Sequence, residues 1–391
     1  GVRFTQYYAA APECSPTRTA LLTGRYLQRV GGLECAIGVG NVGRYDDAIR
    51  LAGRHDLGLP SDLATLPRAL KAAGYATAVY GKWHLGYEEK FRPSRCGFDQ
   101  FVGVLGGNCD YFHHCENDGL HVLYENDKPL HREGTYLTDL IADQAVGFLK
   151  RQKGDMPFFL YVPFTAPHSP YQGPGDRRPQ RLGEQEWEKG TRAKYVEMVE
   201  RLDACVGRIL AALEATGQAD NTLVIFASDN GGNKMGSNVP FAGHKSGLYE
   251  GGIRVPCIVR WPGVLPAGRT SSQPSITMDL TASMLAAAGA TAPPELPLEG
   301  MDILGHVRRA AADRARTLFW RARRGQRTWR AVRDGNLKYL TRQDGDKIEQ
   351  HLFDLAADPA EKTDLLAARP ADADRLRSLL TKWEQEVKPR R

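Results

Sequence analysis

Short apolar runs alternate with longer stretches of helical periodicity through the first 300 residues, and this alternation restricts the fold more than composition does. A strand that is apolar along its length needs cover on both faces, which helices between parallel strands supply. Leu63, Leu66 and Leu70 mark one helix face, Gly74 ends it, and residues 77–80 read as the strand that follows. Leu137, Leu140, Ile141, Val146 and Leu149 mark a second helix, and residues 157–162 a buried strand. Tyr195, Val199, Leu202, Val206, Ile209 and Leu213 recur at three- and four-residue steps along a long helix that ends near Gly217. Residues 222–227 and 255–260 are further strands. The pattern predicts an α/β fold whose mixed, mostly parallel sheet is flanked by helices.

After about residue 310 the pattern changes. Residues 317–320, 328–332, 337–340 and 351–353 read as short strands separated by Gly or Asp turns, predicting a small antiparallel sheet. A closing helix carries Leu376, Leu379, Leu380 and Trp383 on one face. The expected division is residues 1–310 and a C-terminal α+β subdomain, 311–391, with an Ala/Pro-rich link around 286–297. A chain of 391 residues, 42% hydrophobic and 25% charged, buries a large core without disulfide staples. No apolar run approaches the ~18 residues of a membrane span. The net charge of +6 lies largely in the Arg-rich stretch 308–333. That stretch reads as a solvated basic surface, with contact to nucleic acid or an anionic polymer as the alternative; no nucleic-acid partner is expected. The seven cysteines, Cys14, Cys35, Cys96, Cys109, Cys115, Cys205 and Cys257, contain no C-x-x-C pair, which argues against a zinc ribbon or a thioredoxin-type site. Either one bridge among Cys96, Cys109 and Cys115 or buried free thiols fit the spacing.

Ligands of open α/β sheets bind beyond the carboxyl ends of the strands. Gly81-Lys82-Trp83-His84 follows one predicted strand, Ala166-Pro167-His168 the next, and Asp229-Asn230-Gly231-Gly232 the third. Three strands thus deliver reactive or ligating residues to one edge. Near the start, Pro16 suits the first turn of a helix that runs to Gly24, so Cys14 sits at a helix N-terminus. There the dipole and free backbone N–H groups favour an anion, and Arg18, one turn on, can aim its donor fork back at it.

Cys14-Ser15-Pro16-Thr17-Arg18, continuing through Ala20-Leu21-Leu22-Thr23-Gly24-Arg25, resembles the sulfatase signature whose Cys is oxidised to formylglycine. The resemblance extends to Gly81-Lys82-Trp83-His84-Leu85-Gly86, Ala166-Pro167-His168, Ser228-Asp229-Asn230-Gly231-Gly232, the stretch from Lys245 to Pro256, and Leu352-Phe353-Asp354-Leu355. It implies an alkaline-phosphatase-like fold, and the arylsulfatase and N-acetylgalactosamine-6-sulfatase branch looks nearest. The implied reaction is hydrolysis of aryl or carbohydrate sulfate monoesters. The hydrated aldehyde made from Cys14 attacks sulfur with one hydroxyl, and loss of the second hydroxyl's proton then releases sulfate.

The same resemblance assigns roles. Arg18 orients the diol, Lys82 and Lys245 bind sulfate oxygens, His84 takes the diol proton and His168 protonates the leaving oxygen. His113, in a loop where the family often touches substrate, is a substrate-binding candidate. His121, His131, His306 and His351 are read as structural. Asp229 and Asn230 are implied oxygen ligands of Ca2+, with the family's two remaining ligands lying upstream of the Cys motif. The catalytic domain is therefore expected to lack its first strand here, although Gly1-Val2-Arg3-Phe4 reads as a strand already under way. Implied partners are a sulfated small molecule or glycan and a formylglycine-generating maturation enzyme, and the implied location is periplasmic or secreted. The alternatives are a phosphate or phosphonate ester hydrolase of the same superfamily, and an inactive remnant that binds sulfated glycans through residues 308–333. The two lysines and the Gly-Lys-Trp-His context favour sulfate.

Overall fold

The computed structural model describes residues 1–152, 156–292 and 297–389. The strand Ala76–Tyr80 lies between Gln100–Val104 and Phe158–Tyr161 and runs parallel to both. Leu123–Glu125 and Lys128–Pro129 extend this sheet in antiparallel fashion beyond Gln100–Val104. A second sheet orders Arg269–Ser271, Val2–Phe4, Cys257–Arg260 and Val224–Ala227; only its first pair is parallel. The predicted mixed α/β architecture is thus present.

The helices Leu137–Arg151 and Arg192–Ala215 cover the first sheet, placing Phe148, Leu149, Met198 and Leu213 in one core with Ala78, Tyr80 and Val102. The helix predicted from Leu63 begins later, at Leu66, because Pro67 occupies its first turn and fixes where it starts. Residues 157–162 are not the buried strand expected. Among the described residues Phe158–Tyr161 pairs on one side only and is half-buried along its length, as a strand with no neighbour on its outer side is. The strand expected at 222 starts at Val224, after the turn Ala219–Asn221. It too is an edge, leaving Phe226 46% exposed.

The four short C-terminal strands are each eight residues long: Thr317–Arg324, Arg327–Asp334, Leu337–Asp344 and Lys347–Asp354. They form an antiparallel meander whose two-residue turns each contain a glycine at positive φ (Gly325, Gly335 and Gly345), the conformation such tight hairpins need. The helix Pro370–Glu386 packs Leu376, Leu380 and Trp383 against this sheet.

The stretch 308–333 is neither a freely solvated basic surface nor an open anion-binding face. Arg316 pairs with Asp279, Arg321 with Glu34 and Glu384, Arg323 with Asp47, Arg324 with Glu13, Arg327 with Asp344 and Arg330 with Glu384. Several of these arginines reach into the first fifty residues, so the charge joins the C-terminal sheet to the Cys14 end of the fold. All seven cysteines are buried free thiols. In the expected Ala/Pro-rich link, the helix Thr277–Ala288 ends at Gly289, and residues 293–296 lie outside the described residues.

Candidate active site

Cys14 opens the helix Cys14–Thr23, with Glu13 as its N-cap and Gly24 closing it in the left-handed conformation. All but one of the helix residues are buried, which fixes Cys14 on a rigid element. Lys82 and His84 lie just beyond the strand Ala76–Tyr80. Trp83 anchors them: its ring is buried against Phe98, and its indole N–H donates to the Phe91 carbonyl at 2.9 Å. Gly81, at φ 133°, is required there, because a Cβ would stand 2.2 Å from the Pro163 carbonyl oxygen.

These segments meet around Cys14. Lys245 Nζ lies 3.5 Å from Cys14 Sγ and 3.0 Å from His168 Nε2. Asn230 Oδ1 lies 3.6 Å from the same sulfur. Arg18, expected to aim its donor fork at an anion beside Cys14, turns it here to Asp229. Its Nε and Nη2 both donate to Asp229 Oδ2, at 3.2 and 3.0 Å, and its Nη1 donates to the Lys82 carbonyl at 2.7 Å and to the Tyr161 hydroxyl at 3.4 Å. Asp229, the stronger acceptor, captures the fork. Arg18 thereby ties together the ends of three strands.

Burial sets the protonation states of the two histidines. Desolvation, then Lys82, Arg18 and Arg44, holds the His84 pKa well below its ordinary value. His84 Nε2 lies 2.9 Å from the Ile37 carbonyl, which only accepts, so Nε2 carries the proton; Nδ1 is buried without a partner and offers its lone pair. His168 is likewise held neutral by burial and by Lys245 and Lys82. Its Nδ1 donates to the Ser169 carbonyl at 3.0 Å, so its Nε2 accepts from the Lys245 ammonium. Burial disfavours the charge on both lysines. It lowers the Lys82 pKa, whereas around Lys245 the attraction of Cys14, Asp229 and Glu13 outweighs burial and raises it. Asp229 is pulled down to about 2, because Arg18, Lys82 and Lys245 outweigh its burial.

The oxygens present do not make a calcium site. Calcium takes six to eight oxygen ligands. Here the side chains of Asp229 and Asn230 offer a single carboxylate and an amide, set among Arg18, Lys82 and Lys245. Asp229 and Asn230 would supply two of those oxygens, and Arg18, Lys82 and Lys245 beside them favour an anion such as sulfate. Among the described residues the His/Cys/Asp/Glu grouping with metal-holding spacing is instead His121, His131 and Glu133.

His113 is not drawn into this cluster by any contact among the described residues. Its Nδ1 lies 3.2 Å from Asp110 Oδ1, which also accepts the backbone N–H groups of Phe112 and His113. Sequence reasoning missed Glu13, Ser246 and Tyr161. Glu13 is a buried carboxylate that accepts from Ala36 N at 2.8 Å, Ser246 Oγ at 2.8 Å, Cys35 Sγ at 3.2 Å and Arg324 Nη1 at 2.9 Å. Arg324 and these donors hold it ionised against its burial. The signal was an acid directly before Cys14, at an N-cap. Ser246, next to Lys245, sits at φ 74°, a conformation uncommon for a residue with a side chain; its Oγ bond to Glu13 and its N–H to the Pro12 carbonyl hold it there. Tyr161 was passed over because attention fell on residues after each strand, and it is the last residue within one.

Comparison with known proteins agrees with the geometry. The sulfatase family profile matches residues 1–290, and the profile described as N-sulphoglucosamine sulphohydrolase, C-terminal, matches residues 243–387. N-acetylgalactosamine-6-sulfatase of Canis lupus familiaris is 35% identical over 323 residues, covering 78% of this chain and 58% of the relative. Steryl-sulfatase of Mus musculus is 32% identical, covering 79% and 59%. The chain thus spans less than two thirds of the length of these curated relatives. The crystal structure of Ps i-CgsB in complex with k-i-k-neocarrahexaose superposes with a TM-score of 0.83 at 28% identity, covering 98% of this chain and 84% of that one. A phosphonate monoester hydrolase of Agrobacterium radiobacter, 19% identical with a TM-score of 0.65, shares the fold. Sulfatases generally use a formylglycine and a divalent metal. With the family profile spanning most of its length and the signature residues meeting around Cys14, the chain belongs to the sulfatase family.

Proposed function

We propose that the Cys14 pocket hydrolyses sulfate monoesters of carbohydrates or aryl alcohols. The observation that carries this reading is the Lys245 ammonium, 3.5 Å from Cys14 Sγ and 3.0 Å from His168 Nε2: it touches both the nucleophile position and the imidazole beside it. Formylglycine at position 14, once formed, supplies a hydrated aldehyde as nucleophile and its own route for releasing sulfate.

The remaining roles belong to side chains already in place. Lys82 and Lys245 neutralise sulfate oxygens, and their value rises because the site is dry. His84, neutral with a free Nδ1 lone pair, accepts a proton from the nucleophile. His168 Nε2 faces the leaving side beside the Lys245 ammonium and donates to the leaving oxygen once it has taken a proton from solvent, while Lys245 keeps its own charge. Arg18 positions Asp229 and the Lys82 backbone. Asn230 lies beside the Cys14 sulfur and Asp229 is held by Arg18; the two do not by themselves make the expected calcium site, so no step is assigned to a metal. His113 is given no chemical role; its pairing with Asp110 supports loop positioning.

The implied partners are a sulfated glycan or small sulfate ester and a maturation enzyme that oxidises Cys14. A periplasmic or secreted location fits the family, and no helix among the described residues is long and apolar enough to cross a membrane. The division into residues 1–310 and 311–391 is proposed on the change from mixed α/β layers to the antiparallel meander. The test is co-production with a maturation enzyme, followed by mass analysis of the Cys14 peptide and comparison of aryl sulfate with aryl phosphate turnover. Sulfate turnover is expected to dominate. Exclusive phosphoester cleavage would overturn the reading.

A further inference from the structure

The hairpin of Leu123–Glu125 and Lys128–Pro129 brings together three donor side chains that the sulfate chemistry does not use. His121 stands before its first strand, and His131 and Glu133 follow its second. The two imidazoles lie face to face, with ring centroids 4.5 Å apart and planes 27° from parallel. Glu133 Oε1 lies 3.2 Å from His131 Nδ1. One donor atom from each of the three residues stands within 4.8 Å of the other two. Among the described residues, none of the three side chains bonds to a residue of the Cys14 pocket.

The structural reading of these histidines holds only in part. His121 Nε2 lies 3.0 Å from the Leu123 carbonyl and 3.1 Å from that of Leu130. Carbonyl oxygens only accept, so Nε2 carries the proton and Nδ1 keeps a lone pair. Metal-bound imidazoles are backed in this way, with one nitrogen fixed by a backbone oxygen and the other free to ligate. His131 and Glu133 are 65% and 55% exposed and pair with each other. Zinc bonds of about 2.0–2.1 Å at tetrahedral angles set neighbouring donors about 3.3 Å apart, close to the spacing of that pair. The spread of up to 4.8 Å among all three donors can close through rotation of the two exposed side chains. Two imidazoles and one carboxylate suit a borderline cation such as Zn2+, whereas Ca2+ and Mg2+ take oxygen ligands.

We propose that His121, His131 and Glu133 form a zinc-type metal site, with water completing the shell, that fastens the loop ending at His121 to the segment 130–135. The same two stretches already meet: His114 Nε2 donates to the Thr135 carbonyl at 3.0 Å, and the Gly134 N–H to the Phe112 carbonyl at 2.8 Å. The ion therefore reinforces a closure the chain has made, on the loop that carries Asp110 and His113. The site stands whether or not the Cys14 pocket is a sulfatase.

Titration calorimetry with Zn2+ at neutral pH tests it on Cys14→Ala protein, which lacks the pocket thiol, and on that protein carrying His131→Ala, Glu133→Gln or His55→Ala. His55 is the control, an exposed imidazole 3.5 Å from Glu88 that belongs to no three-donor group among the described residues. One Zn2+ is expected to bind with a Kd of about 10 μM or tighter. His131→Ala is expected to weaken it about thirtyfold or more and Glu133→Gln about tenfold, with His55→Ala within about twofold. Co2+ in place of Zn2+ is expected to show the visible bands of nitrogen and oxygen ligation, lost in His131→Ala. No site tighter than about 100 μM, a site that His131→Ala leaves intact, an equal loss in His55→Ala, or sulfur-to-cobalt charge transfer from the bound ion would overturn the proposal.

Discussion

Around Cys14 the charge is lopsided: Arg18, Lys82 and Lys245 gather about Asp229, the second carboxylate, Glu13, is paired with Arg324, and both nearby histidines are neutral. That excess is what a site for a sulfate ester needs, and it makes Lys245 the most exposed point of the account. Lys245→Ala is expected to lower kcat about a hundredfold or more, with little change in thermal stability, in steady-state assays of the matured protein. Glu13 acts at one remove, through its bond to Ser246 beside Lys245. Glu13→Gln is expected to lower kcat by about tenfold at nearly constant KM, because it disturbs where Lys245 stands and not how substrate enters. An unchanged kcat would reduce Glu13 to a structural acid. Glu116 offers a pH test. Its pKa is raised by burial, from the usual 4.5 to about 7, so the folded state keeps a proton that the unfolded chain releases. Stability from this group is fully present below about pH 4.5 and is lost as pH rises through about 7, by at most about 3 kcal/mol. Urea unfolding across that range should show this slope in the wild type and lose it in Glu116→Gln.

Among the elements, a glycine pair controls the loop that carries Asp229 and Asn230. A Cβ on Gly231 would stand 1.8 Å from the Gly251 carbonyl oxygen, in the segment that follows Lys245. Gly231→Ala is expected to destabilise the fold by about 1–3 kcal/mol and to cut activity by more than that loss explains, read by urea unfolding beside kcat. The helices were largely legible in the sequence because their apolar residues recur every three or four positions. Cys14–Thr23 was marked by Pro16 and Gly24, the punctuation of a helix start and stop. The C-terminal strands read as half their true length because runs such as Arg321-Ala322-Arg323-Arg324 place charge where strands usually place β-branched or aromatic residues. Their arginines are tolerated because partners on other elements neutralise them. The burial of Phe158–Tyr161 was misjudged for another reason: an apolar run fixes the preference of a strand, and only pairing decides which strand becomes an edge. Within the site, residue types announced Cys14, Lys82, His168 and Lys245. The commitment of Arg18 to Asp229 depends on a long-range neighbour that no local pattern reveals.

At the scale of the whole molecule, buried charge joins the C-terminal sheet to the catalytic layers. Lys338, fully buried, donates to Glu250 at 2.9 Å and to Glu361 at 2.8 Å. Glu250 also accepts from the Tyr8 hydroxyl at 2.6 Å, and Arg333 donates to that hydroxyl at 2.6 Å. Lys338→Met would leave Glu361 without its cation and Glu250 with only Arg254, at 3.4 Å, and is expected to destabilise the protein by about 3–5 kcal/mol in urea unfolding. Replacing all three partners by apolar residues of similar volume should cost far less. Glu250 lies five residues after Lys245, so this triad also braces the segment that brings Lys245 to the nucleophile. The fold therefore converges on one position. The most direct test is sulfate release from an aryl sulfate ester by the protein matured in a host that oxidises Cys14, measured beside Cys14→Ala. The account predicts sulfate release that tracks the fraction of oxidised Cys14 and vanishes in the variant. Release that persists in Cys14→Ala, or a matured protein that cleaves aryl phosphate and leaves aryl sulfate intact, would contradict it.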